Sequence, residues 1–203
     1  MTAAAAVSEG SYPVTLELEA PLQIARWRPL VHWLLGIPYY IVLYVLQIAL
    51  GVVTFVAWFV ILFTGNIPEG MFAFMASVHR FQWRYSSYIL FLREPYPPFE
   101  ITGPAVDAGT DPPTRFSVEY PDHLSRLLIF VKWLLAIPHY FVLLFLAIGV
   151  ALGSIVGFFA VLITGRWPEG LRDFIVGFHR WAYRVQAYVY LLTDVYPPFR
   201  LAP

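Results

Sequence analysis

The 203-residue chain is 59 % hydrophobic and 13 % charged, with 13 basic and 13 acidic side chains and no cysteine. A soluble domain carries about 25 % charged residues, so this composition points to a lipid-facing protein. Balanced charge argues against a nucleic-acid partner, and the lack of cysteine excludes disulfides, iron–sulfur clusters and thiolate chemistry.

Residues 1–12 are Ala-rich and polar, without a basic start and apolar core, so they are expected to form a flexible tail and not a cleavable signal peptide. The rest repeats itself one hundred residues on. Trp33-Leu34-Leu35 returns as Trp133-Leu134-Leu135, Thr64-Gly65 as Thr164-Gly165, and Tyr96-Pro97-Pro98-Phe99 as Tyr196-Pro197-Pro198-Phe199. Roughly 40 % of positions from Trp33 to Phe99 recur without a gap, which marks a duplicated module. The division is a tail over 1–12, a first repeat over 13–100, a linker over 101–112 and a second repeat over 113–203.

Each repeat opens on an alternating stretch, Val14 to Glu19 and Phe116 to Tyr120, which predicts a half-exposed strand ended by Pro21 or Pro121. A basic, Trp-bearing segment follows. Arg26, Trp27, Arg28 and Trp33, with Arg126, Lys132 and Trp133 in the copy, read as interfacial anchors. Pro38 and Pro138 predict a kink or a helix start. Tyr39 to Phe63 and Tyr140 to Ile163 hold no charge and exceed the ~20 residues needed to cross a bilayer.

The turn Gly65, Pro68, Glu69, Gly70, with its copy Gly165, Pro168, Glu169, Gly170, ends one helix and begins the next. Glycine stops the first helix, and the glutamate complements the dipole of the second. That second helix, over 71–92 and 171–192, sets Phe74, Phe81 and Tyr85 on one face and Arg80 and Arg84 on the other. Because the two repeats begin with the same elements, two crossings per repeat would keep both in one orientation. The fold class expected is an all-α integral membrane protein of two tandem helical hairpins. It has four membrane helices and short β-like segments, and the positive-inside rule puts both termini in the cytoplasm.

His79, Arg80 and Arg84, with His179, Arg180 and Arg184, form the candidate site. Ionisable residues at membrane depth suggest function, and arginine forks suit phosphate or carboxylate, so anionic lipid is the expected ligand. The competing structural reading pairs Arg80 with Glu69 or Glu94. Neither a metal nor a cofactor is expected. Bis-histidine haem on His79 and His179 is the alternative, and a small oligomeric transporter or channel is another. His32, His123 and His139 share no metal-ligand spacing, and no nucleophile elbow or phosphate loop is present, so the chain reads as non-enzymatic.

The combined strings Trp-Leu-Leu-x-Ile-Pro-x-Tyr, Thr-Gly-x-x-Pro-Glu-Gly, His-Arg-x-x-x-Arg and Tyr-Pro-Pro-Phe resemble the bacterial membrane family called domain of unknown function 4389, as two tandem copies covering nearly the whole chain. The resemblance implies a bacterial inner-membrane protein and carries no activity. The second copy has Arg126-Leu127 where the first has Arg26-Trp27, which weakens its surface anchor. The function expected is an accessory or scaffolding subunit, partnered by membrane lipids and other membrane proteins. Its motive is the aromatic face of Phe74, Phe81, Tyr85, Phe174, Trp181 and Tyr188.

Overall fold

A computed structural model describes residues 12–203; Met1 to Ser11, and with them most of the expected flexible tail, lie outside the described residues. The chain runs β1 (Val14–Leu18), α1 (Arg28–Thr64), α2 (Glu69–Ile89), β2 (Thr114–Val118), α3 (Leu128–Leu135), α4 (Ile137–Thr164) and α5 (Glu169–Val189). It is mostly helical, with one small sheet.

Proline treats the two repeats differently. In the first, Pro38 sits inside the unbroken 37-residue α1. In the second, the helix parts at Ala136, and Pro138 falls in the first turn of α4, where its missing N–H costs nothing. Gly65 (φ +78°) and Gly165 (φ +71°) then close the long helices in the left-handed conformation that glycine adopts without strain. Their amides donate to Ile61 O and Val161 O. Glu69 and Glu169 open α2 and α5. Each hairpin is clasped at its open end by its own Tyr-Pro-Pro-Phe: Phe99 lies 5.0 Å from Tyr39, which stacks on Phe81 at 3.9 Å. In the copy, Phe199 stacks on His139 at 3.9 Å and meets Trp181 at 5.4 Å.

The repeats join reciprocally. The strand of one pairs antiparallel with the strand of the other, Leu16 opposite Phe116. β1 packs on α5 and β2 on α2, each the other repeat's helix. Ile24, before α1, donates to Gly165 O at the end of α4 (2.9 Å), and Leu124, before α3, donates to Gly65 O at the end of α1 (2.8 Å). These exchanges describe an approximate two-fold axis through the ribbon. The long helices α1 and α4 therefore run antiparallel and touch each other, while α2 and α5 lie between them and the strands.

One expectation holds in part and one is corrected. Two helical stretches have the length and hydropathy of a membrane span, Arg28–Thr64 and Leu128–Thr164, whereas α2 and α5 do not. The latter are packed against protein on nearly every side, with Met75, Phe81, Trp83, Ile175 and Val185 fully buried. The aromatic face read as a partner surface is largely turned inward, since Phe81, Trp181 and Tyr188 are buried. Exposed apolar residues instead run the full length of α1, from Leu30 through Tyr44 and Val52 to Phe63. They do so again over α3 and α4, from Phe130 through Leu144 and Leu152 to Ile163.

Candidate functional site

The His-Arg ladders of α2 and α5 meet at the axis, but their histidines do not face each other across open space. Nδ1 of His79 donates to Met75 O and that of His179 to Ile175 O, both at 2.8 Å and one helical turn back. The His79 ring lies against Phe116 (6.0 Å), Tyr183 (6.4 Å) and Tyr190 (5.2 Å), and His179 against Trp83 (5.2 Å). Burial pushes His79 down to about 4 and lowers His179 in the same direction, because an imidazolium there would have no solvent. Nε2 of His79 has no partner among the described residues. A porphyrin needs a flat slot between its axial ligands, and here the slot is filled by aromatic rings. The two histidines do not fit haem.

In the first repeat Arg80, Arg84 and Arg93 all have partners. Arg80 donates through Nε to Phe116 O (3.1 Å) and through Nη2 to Pro104 O (2.8 Å) and Ala105 O (3.0 Å), beside Asp107 at 3.1 Å. Arg84, fully buried, donates to Glu100 (3.0 Å) and Thr110 (3.0 Å) and lies 3.7 Å from Asp111. Arg93 holds Asp111 with both terminal nitrogens, one at 2.7 Å. Hydrogen bonds from Thr110 and Arg84 keep Glu100 below the usual carboxylate range. The acid partners are Glu100 at the end of the repeat and Asp107 and Asp111 of the linker, and neither Glu69 nor Glu94 is among them. Glu94 instead accepts the backbone N–H of Ala25, as Asp194 accepts that of Ser125 (2.5 Å), holding the chain just before each long helix.

The second repeat keeps the arginines and changes their company. Arg180 repeats the strand contact, Nε to Leu16 O at 3.1 Å, on the residue paired with Phe116. Its terminal nitrogens have no protein partner among the described residues. Arg184 donates to Arg200 O (3.3 Å) and Ala202 O (2.8 Å). Arg200 stands at the position of Glu100, a reversal of charge. Among the described residues no ion pair involves Arg180, Arg184 or Arg200. Burial and the neighbouring Arg200 hold the Arg184 guanidinium below its ordinary range. These side chains line a cavity of about 270 Å³ with Tyr12, Thr15 and Glu17 of the first repeat.

The anchor residues separate. Trp27, Trp33 and Trp133 are exposed, Arg28 lies over the Trp27 ring at 4.7 Å, and Leu127 is 78 % exposed where Trp27 has its copy. Arg126 reaches Thr64 O at 3.2 Å across the repeats. Lys132 is not an interfacial anchor: it is buried, donates to Thr193 O (2.7 Å), pairs with Asp194 (2.8 Å) and sits under Tyr188. Its four-carbon stem follows the hydrophobic spacing of α3, which hides its inward direction in sequence. His32, the residue at that place in the first repeat, stacks on Tyr88 at 4.0 Å and hydrogen-bonds Tyr88 O. The turn residues Gly65, Pro68, Glu69, Gly70 and their copies Gly165, Pro168, Glu169, Gly170 serve as helix ends and starts. Each turn meets the other repeat, with Tyr120 donating to Ile67 O and Trp167 N to Leu22 O.

Residues 26–100 and 126–200 each match the family described as Domain of unknown function (DUF4389). No curated protein and no solved structure matches the chain.

Proposed function

We propose that this chain, which belongs to the DUF4389 family, is a non-enzymatic accessory or scaffolding protein of the membrane. In this reading it lies along one leaflet, with its two long helices in the lipid and its strands and linker in water. One observation carries the reading: exposed apolar side chains cover the long helices from end to end, and the opposite end of the two-fold axis holds the ribbon. Exposed there are Thr15, Glu17 and Arg115.

Geometry favours this seat over a crossing. The charge-free part of α1, Tyr39 to Phe63, extends about 38 Å at about 1.5 Å each, and a hydrocarbon core of about 30 Å would accept it at a tilt near about 37°, so the ribbon and not helix length decides. Since α1 and α4 are antiparallel, crossing would turn the two-fold axis into the membrane plane. The ribbon, with Glu17 and Arg115 outward, would then face hydrocarbon at mid-depth, where unpaired strand edges and charges cost several kcal/mol each. Lying flat removes both penalties, and Arg26, Arg28, Arg126 and Arg166 at the helix ends suit the anionic cytoplasmic leaflet. The buried arginines and acids of the first repeat are tied to one another and to backbone carbonyls, which supports a structural rather than a catalytic use.

Absence of native cysteine makes the test direct. Single cysteines at Arg26, Asn66, Arg126 and Arg166 are labelled with an impermeant maleimide in intact cells and in inverted vesicles. All four reacting from the same side is expected. Opposite reactivity of Asn66 and Arg166 indicates inverted crossings. Opposite reactivity of Asn66 and Arg126 indicates two crossings per repeat. Either result overturns the flat arrangement.

A further inference from the structure

We propose that the cavity between β1, α5 and the segment after Pro198 is a phosphate-binding site, built from Arg180, Arg184 and Arg200 and present in the second repeat alone. The first repeat shows what this place requires. There the Arg84 guanidinium is neutralised from within by Glu100 and Asp111, and Arg80 by Asp107. In the second repeat the position of Glu100 holds Arg200, so an internal counter-charge has become a third cation.

The donor set selects the ligand. Three arginines line a cavity of about 270 Å³, with Glu17 the one acidic side chain and Pro203 also in the wall. A phosphate group, with three or four acceptor oxygens, can engage more than one guanidinium fork at once, where a carboxylate engages one. The donors are arranged for it. Arg184 is buried and tethered by Arg200 O and Ala202 O. Arg180 is tethered by Leu16 O through Nε alone, which leaves its two terminal nitrogens as a fork for two phosphate oxygens. Arg184 is buried, Arg180 half-buried and Arg200 exposed, and none of the three has an ion-pair partner among the described residues, so a bound phosphate would supply the missing counter-charge.

The phosphate can belong to a free anion or to a lipid headgroup, and two arms separate them. Equilibrium dialysis of the full chain in neutral detergent against labelled inorganic phosphate is expected to show one saturable site. R200E, which restores the pattern of the first repeat, weakens it about tenfold or more, the effect of losing one charge-assisted bond and gaining a repulsive charge. Arg200 makes no side-chain bond among the described residues, so this variant keeps the fold. R26Q, away from the cavity, leaves binding unchanged. The second arm compares phosphatidylcholine vesicles with and without phosphatidic acid. Retention that needs phosphatidic acid, is lost in R200E and resists free phosphate assigns the headgroup. Competition by free phosphate assigns the small anion. Absence of phosphate binding in both arms, or equal binding by wild type and R200E, overturns the site. The dialysis uses no membrane, so its failure leaves the leaflet arrangement standing, and a crossing found by labelling leaves a phosphate result standing.

Discussion

Arg84 and Arg184 occupy one place in two copies of the same hairpin, yet they live in different chemistry. Arg84 is enclosed by Glu100, Thr110 and Asp111, and the shared Asp111 links it to Arg93. Arg184 is held by the carbonyls of Arg200 and Ala202 and lies over the Tyr12 ring at 5.9 Å, with no acid paired to it among the described residues. Elsewhere the copies agree closely: strand contacts, histidine bonds and aromatic clasps all recur. One repeat thus closes its basic cluster with acids, and in the other the equivalent arginines have no acid partner among the described residues.

The strongest way to break this contrast is to remove each arginine. Arg84→Ala leaves Asp111 with Arg93 and Glu100 with Thr110 but removes two charge-assisted hydrogen bonds, and is expected to cost about 2–4 kcal/mol. Arg184→Ala removes bonds to two carbonyls and is expected to cost about 1–2 kcal/mol. Thermal unfolding in detergent measures both, and equal losses would remove the distinction. Next is acid. Because the folded state lowers His79 from 6.5 to about 4, the unfolded chain binds more protons in that window, so stability falls as pH drops from about 6.5 to about 4. The full loss is ~3 kcal/mol, and His179 adds to it in the same direction. His79→Phe should flatten the stability profile measured by denaturant unfolding between those pH values.

A smaller effect comes from exchanged bulk at the far end of the hairpins. A Cβ on Gly157 would come within 2.1 Å of the Trp167 ring, where the first repeat sets Ala57 and Ile67. Gly157→Ala is expected to cost about 1–3 kcal/mol by overpacking, and Trp167→Ile in the same chain to recover most of it. Smallest of all, Leu127→Trp should change unfolding by less than about 0.5 kcal/mol while increasing retention on vesicles, since the residue is exposed beside Arg126.

Much of this molecule is readable from residues alone, and the unread parts have physical reasons. The duplication, the apolar helices, the glycine-stopped turns and both alternating strands leave local signatures. The strand pairing does not: Leu16 and Phe116 are one hundred positions apart, and either strand by itself gives no sign of its partner. The arginines of α2 carry the same helical spacing whether they face a headgroup, a bundle or a folded-back loop. The linker reads as Gly, Pro and Asp punctuation, and nothing local shows that Asp107 and Asp111 turn inward. An apolar 37-residue helix has the length to cross a bilayer and equally to lie along it. What separates the two is the ribbon, which is a tertiary feature. Of the six histidines and arginines of the two ladders, Arg180 and Arg184 line the cavity, and Arg200 beside them has no signature in the ladder spacing. Its meaning comes only from its alignment with Glu100.

The ribbon has a consequence for ancestry. A lone repeat owns one strand with no ladder and one helix whose strand-facing side is bare, so it would satisfy both by associating with an identical copy about the same axis. This chain thus has the internal symmetry of two like subunits joined end to end. Joining matters because in a true homodimer every substitution appears twice, and Glu100 could not become arginine on one side only. Within one chain the two halves are free of that constraint, so Glu100 can brace one repeat while Arg200 stands at its place in the other.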